Sequence, residues 1–318
     1  MREFLKRFKF IRDIYYKHKE RKFENLKKKR STTPHTFINR SKSNEKLLVI
    51  LAGYKDRLFD LVFERVKAFL PKDIDVCIVS SGKYHEGLAK RAEVEGYSYL
   101  STKRNHIGLA LNVAINRFEK AKYIYKIDED IFLTKGFFET LFDTYQKVLK
   151  EGDFTPGIVA PLIPINGYTH LEILKKLKLV DTYTKKFELP KYASMPYRMI
   201  ENNDQVARFF WGEGGYVPKL DKLNEIFKKD QFKVSGAPHK FSIGAILFTK
   251  DLWNDMGRFS VQRGNGLGID EIDLNKYCYL ESLPVVVSHN QVVGHFSFGK
   301  QTKSMFEYLD KHPEMFKL

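Results

Sequence analysis

Cysteine is nearly absent: Cys77 and Cys278 are the only two in 318 residues, and neither stands at metal or redox spacing. This excludes a disulfide scaffold and suits a reducing cytoplasm. Long apolar runs are missing too. No stretch approaches the roughly 18 residues that span a bilayer, and no signal-peptide core follows the start, so a cytoplasmic protein is expected. No internal repeat is visible. A P-loop is excluded as well, because the run of Gly264, Gly266 and Gly268 has no strand before it and no Lys-Ser/Thr after it. What is present is core material. The chain is 43% hydrophobic and 14% aromatic, with 26 Phe and 17 Tyr, which rules out a disordered polymer and supports one large domain with appendages.

Charge is unevenly placed. Of the formal +16, residues 1–30 hold 13 Lys/Arg against 4 Asp/Glu, or +9, which leaves +7 for residues 31–318. Phe4, Phe8, Ile11 and Tyr15 recur at helical intervals, so a basic helix with an aromatic stripe is predicted. Such a helix suits an anionic membrane surface. Packing on its own domain and a solvated arm are the plainer alternatives, and nucleic acid is not expected as a partner.

A polar link over residues 31–44 follows, and the folded body is placed at 45–318. Residues 46–52 read as a buried strand, 56–69 as a helix stopped by Pro71, and 75–80 as a second strand. A helix over 85–95, a short strand over 97–100, a helix over 107–118 and a strand over 123–127 continue the alternation. Strand–helix alternation at this spacing predicts a parallel sheet with helices on both faces, and ligands gather at the carboxyl ends of such strands. Beyond a strand at 158–162, residues 165–235 read as irregular. A strand over 242–248, a helix over 250–256, another opening at Asp270 and a strand over 284–288 complete the pattern.

The strand over 123–127 ends in three carboxylates, Asp128, Glu129 and Asp130. That much negative charge at a buried strand end is costly unless a cation neutralises it. A hard divalent ion that itself holds a diphosphate would do so, since Mg²⁺ and Mn²⁺ favour oxygen ligands and share them with substrate phosphates. A solvated acidic turn is the alternative. His295, in the run Val292, Val293, Gly294, His295, Phe296, could add an imidazole ligand, with His289 as a rival and a core histidine as the plain reading.

Several segments, in order, resemble a GT-A glycosyltransferase of the large family-2 kind over about residues 46–300. Ile50 to Arg57 resembles the first strand and turn. Asn105, Gly108, Ala110 and Asn112 resemble the helix start before the aspartate motif, and Asp128 with Asp130 matches Asp-x-Asp. Gly244, Ala245, Trp253, Gly257 and Phe259, then Asp270, Glu271, Asp273 and Leu274, resemble the later Gly-Ala…Gly-Phe…Glu-Asp-x-Asp-Leu order, and Gly294-His295 resembles the late histidine.

The resemblance implies an α/β fold of the GT-A (Rossmann-like) type: a mostly parallel sheet flanked by helices, with the basic helical arm in front. Residues 45–160 would form the nucleotide-sugar half and 161–318 the acceptor half. A divalent metal, Mn²⁺ or Mg²⁺, would be held by Asp130, with Asp128 and His295. The donor site would involve Ala52, Tyr54, Arg57, Ser81, Arg104, Asn105, Gly108 and Asp128. Ser80 and Ser81 stand where the family often has an aspartate, so base recognition would rest on hydroxyls or backbone. Trp211, Glu213 and Gly244 are the acceptor candidates, though core packing is open for Phe209 and Phe210. The catalytic base would be Glu271, or Asp270 after a one-residue shift, since the order of the two acids is reversed. The expected activity is inverting transfer from a nucleoside-diphosphate sugar to a glycan or lipid-linked hydroxyl in surface polysaccharide synthesis, at the inner face of a membrane. A retaining transferase and a non-catalytic basic module for nucleic acid or acidic glycan are the rivals.

Overall fold

The computed structural model of the protein describes residues 9–192 and 198–318. Strands β1 (His35–Ile38), β2 (Lys46–Leu51), β3 (Ile74–Ser81), β4 (Ser98–Thr102), β5 (Tyr123–Asp128) and β6 (Ile131–Phe132) occupy the first half. The second half supplies β7 (Ile158–Leu162), β8 (Val234–Gly236), β9 (Ala245–Thr249), β10 (Val285–Val292) and β11 (Gly294–His295). Nine of them form one sheet in the order β1-β4-β3-β2-β5-β9-β7-β10-β8, while β6 pairs with β11 alone. Six strands share one direction; β1, β8 and β9 run against it.

The central strands are nearly continuous apolar runs because helices cover both faces, so either side of the pleat is dry. Every position of β3 is buried. Helices Phe59–Phe69, Glu86–Glu95, Ile107–Arg117 and Phe137–Glu151 follow β2, β3, β4 and β6, and bury Val62 and Val66, Leu88 and Ala92, Leu109 and Val113, and Leu141 and Val148. The architecture is the helix-flanked, mostly parallel α/β sheet expected from the sequence.

Three expectations need correction. Residues 165–235 are largely helical: Thr169–Lys176, Val180–Lys186, Met199–Asn202, Asp204–Phe210 and Leu220–Lys228. Each is so short that its apolar stripe spans two turns or fewer, as with the buried Leu220, Leu223 and Phe227, and such stripes are too brief to show as periodicity. The polar link is also not a free linker. Its residues 35–38 are β1, antiparallel to β4 at the sheet edge. Beyond β1, the buried carboxylate of Asp75 accepts hydrogen bonds from Ser41 Oγ (2.6 Å), Lys42 N (2.9 Å) and Asn44 N (3.1 Å). The strand expected at 242–248 begins at Ala245.

The basic arm is a helix, Lys9–Arg30. Residues 11–26 are exposed on every face, including Ile11, Ile14, Tyr15 and Tyr16; Phe4 and Phe8 lie outside the described residues. Its last turn is clamped to the body. Arg30 donates to the carbonyls of Gly257 (2.8 Å) and Arg258 (2.9 Å), and Arg258 returns a bond to the Lys27 carbonyl (3.2 Å). Among the described residues no helix is long and apolar enough to cross a membrane.

Candidate active site

The carboxyl ends of β2, β3, β5 and β7 meet the start of β9 along one edge of the sheet, and there a cavity of about 630 Å³ opens. Ala52, Tyr54, Ser81, Asn105, Asp128, Asp130, Gly244, Asp270, Glu271 and His295 all line it. Residues far apart in sequence meet there because each sits at the end of a strand or the start of a helix.

Asp130 and His295 are brought together by the β6–β11 pair. His295 lies opposite Ile131, and Phe296 N donates to the Asp130 carbonyl at 2.9 Å. His295 Nδ1 lies 3.1 Å from the Ile165 carbonyl oxygen. A carbonyl only accepts, so Nδ1 carries a hydrogen and the imidazole meets Asp130 through Nε2. Nε2 faces Asp130 Oδ2 at 3.4 Å. A ring nitrogen and a carboxylate oxygen that close hold a proton or a cation between them. Lys55 Nζ hydrogen-bonds the same Oδ2. Burial works against ionisation of Asp130, yet His295 and Lys55 hold its pKa well below the usual carboxylate range.

Among the described residues no three His, Cys, Asp or Glu side chains converge as a metal cage. One carboxylate and one imidazole nonetheless fit a hard cation that draws its other ligands from substrate phosphates and water, as Mg²⁺ and its kin do.

Asp128 is turned elsewhere. Lys126, buried within β5, reaches Asp128 Oδ1 (2.7 Å), Asp270 Oδ2 (3.2 Å) and the Ile243 carbonyl (3.3 Å). Burial pushes the Asp128 carboxyl up to about 6; Lys126 opposes that shift, and Asp270 and Asp130 add to it. Burial also disfavours the Lys126 ammonium, but its two carboxylates keep its pKa above the normal lysine range. Asp270 and Glu271 open the helix Ile269–Leu280, whose N-terminal dipole favours anions. They differ in setting: Asp270 is buried against Lys126, whereas Glu271 lies on the cavity wall, paired with the exposed Lys240.

Glu129 also lines the cavity, but its carboxylate is committed to the backbone. Its Oε2 accepts from Gly53 N (2.6 Å) and Tyr54 N (2.9 Å), which fixes the turn after β2. That turn sets Tyr54 at the cavity lip, 60% exposed, with its hydroxyl donating to the Ser81 carbonyl (2.7 Å) and Lys83 Nζ 4.7 Å from its ring centre. Ser81 Oγ accepts from His106 N at 2.8 Å.

Other expected site residues lie outside the cavity. Trp211 is 5% exposed and packs against Phe132 and Phe316. Its Nε1 donates to the carbonyls of His295 (3.0 Å) and Phe296 (3.2 Å), so it braces the β11 segment and offers no face to a sugar. A Cβ on Gly294 would sit 2.8 Å from the Trp211 ring, which is why glycine precedes His295. Glu213 pairs at the surface with Arg208 (3.1 Å). Arg57 pairs with Asp310 and covers the Phe306 ring. Arg104 Nη2 donates to the Gln262 carbonyl. Gly108 is where the helix Ile107–Arg117 packs against the Phe259–Ser260 backbone; a Cβ there would come within 2.9 Å of the Ser260 oxygen. Asn112 is a scaffold hub: it accepts from Trp253 Nε1 (3.0 Å) and Phe259 N (2.9 Å) and donates to the Arg30 (2.9 Å) and Phe259 (2.8 Å) carbonyls. Phe209 and Phe210 are core.

Sequence reasoning missed Lys55, Lys126 and Lys240. Lys126 carried a legible signal, an ammonium amid the apolar residues of β5; the other two sit in loops that give none.

No protein-family model matches the chain, and no curated protein does. Among solved structures the chain is similar to GalNAc-T7 crystallised with UDP, GalNAc and Mn²⁺, at 10% identity and a TM-score of 0.46. The match covers 86% of this chain and 52% of that one, so the chain spans about half the length of the protein it resembles.

Proposed function

We propose that this protein is a metal-dependent glycosyltransferase with a GT-A arrangement, which moves a sugar from a nucleoside-diphosphate donor to an acceptor hydroxyl. The observation that carries this is the facing pair of Asp130 Oδ2 and His295 Nε2, 3.4 Å apart, at the strand-end cavity. A divalent cation bound there would act as a Lewis acid on the departing diphosphate. Tyr54 offers an aromatic face for a nucleobase beside the Ser81 and Asn105 polar groups, and Asp128 lines the same cavity, where it would meet the donor.

Glu271 is the base that takes the acceptor proton. Its carboxylate stands on the cavity wall with a partner, Lys240, that is itself solvent-exposed and free to leave. Asp270 Oδ2 is engaged by the buried Lys126 ammonium, so this acid orients the helix start instead. One base opposite the leaving group implies displacement with inversion. A non-catalytic basic module leaves the buried acids of a basic chain without a purpose.

The test is hydrolysis and transfer with a panel of nucleoside-diphosphate sugars, with and without Mn²⁺. Turnover is expected with metal alone. Asp130→Asn should weaken Mn²⁺ binding by at least about 100-fold, since loss of an outer-shell partner alone costs roughly 10–100-fold. Equal Mn²⁺ affinity in wild type and variant would remove Asp130 as ligand.

The exposed basic helix supports an acceptor held on an anionic surface, as in polysaccharide or lipid-linked glycan assembly. Removing residues 1–22 keeps the Arg30 clamp and should abolish flotation with phosphatidylserine vesicles; undiminished flotation would end the membrane assignment.

A further inference from the structure

We propose that Lys55 is a donor-diphosphate ligand that holds the Asp130 carboxylate while the site is free of donor and turns to the phosphates when a donor binds. This rests on the reading of the cavity as a nucleoside-diphosphate site, and it assigns the residue that meets the phosphates.

A diphosphate in this cavity needs cationic donors from the protein. Among the described residues that line it, Lys55 and Lys126 are the lysines, and there is no arginine. Lys126 is held in β5 by two carboxylates and a carbonyl, and its side chain is 5% exposed, so its ammonium has nowhere to go. Lys55 differs in each respect. It follows Tyr54 in the turn after β2, its side chain is 25% exposed, and among the described residues its Nζ is hydrogen-bonded to one carboxylate, Asp130, with Glu129 and Asp128 acting at longer range. A four-carbon stem with a rotatable head can exchange that partner for another anion within reach. Arg57 and Arg104, the cations expected from the sequence to serve the donor, are bound outside the cavity.

The oxygen that Lys55 holds is the one that faces His295. Lys55 and a divalent ion therefore compete for Asp130 Oδ2 when no donor is present. With a diphosphate in place both are accommodated, because the phosphate oxygens give the ammonium a new acceptor. Metal and nucleotide should then bind each other's complexes more tightly than the free protein, a reciprocal coupling.

Titration calorimetry of the full chain with Mn²⁺, with inorganic pyrophosphate and with a panel of nucleoside diphosphates tests this. In Lys55→Met, Mn²⁺ should bind the nucleotide-free protein more tightly than in wild type. Diphosphate affinity in the presence of Mn²⁺ should fall by about 10- to 100-fold, the loss of one or two charge-assisted hydrogen bonds. Affinity for the plain nucleoside should not change. Lys55→Arg keeps the charge and should retain most diphosphate affinity, which guards against a misfolded methionine variant. If wild type binds Mn²⁺ and a nucleoside diphosphate and Lys55→Met binds both equally well, the role of Lys55 is overturned and the transferase reading stands. If wild type binds neither, both are overturned.

Discussion

Glu271→Gln is expected to lower kcat by about 10²- to 10⁴-fold, the usual contribution of a general base, with little change in donor KM or in melting temperature. The amide keeps the shape of the side chain and removes only its ability to accept a proton. Its ion-pair partner, Lys240, is solvent-exposed, and pairs of that kind contribute little to stability. The contrast is Asp270→Asn, which disturbs the buried contact with Lys126 and should show in stability more than in kcat. Steady-state kinetics with thermal unfolding on both variants separates the two acids. A fully active Glu271→Gln beside an inactive but stable Asp270→Asn would move the base one residue back.

Lys126→Met should destabilise the fold by about 3–5 kcal/mol, the cost of removing one member of a buried ionic cluster. The buried Asp270 and the half-buried Asp128 would be left facing each other at the strand ends without the ammonium between them. Because that cost comes from stranded charge, it should largely disappear when Asp128 and Asp270 are also replaced by asparagine, although that triple variant would be inactive. Urea unfolding gives the comparison; wild-type stability in Lys126→Met would show that water already reaches the two acids. The prediction is independent of any assignment of substrate.

The α/β architecture was legible because β2, β3 and β5 are apolar on both faces and the helices between them are long enough to show a stripe. The acids at 128–130 and 270–271 were legible as outliers at element ends. Their division of labour was not. Nothing in the order Asp128, Glu129, Asp130 says that the middle acid staples the turn at Gly53, or that the first faces Lys126 while the third faces His295. Those roles come from register: adjacent residues after a strand point to different sides, and partners arrive from β2, β11 and the helix at 269. Trp211 misled for a related reason. An indole in a run with glycines and a glutamate looks like a sugar platform, but the close approach of Gly294 makes it a strut. The short helices of 169–228 went unseen because two turns are too little to establish a period.

The way the chain passes from the basic helix into the sheet bears on reach. Residues 31–34 alone separate Arg30, clamped to the body, from β1, hydrogen-bonded along β4. The helix is thus joined to the body at its last turn with no tether between them. On the function proposed above, a surface that holds the helix would lie at a set distance from the cavity mouth, and acceptors matched in length to that distance would be served first.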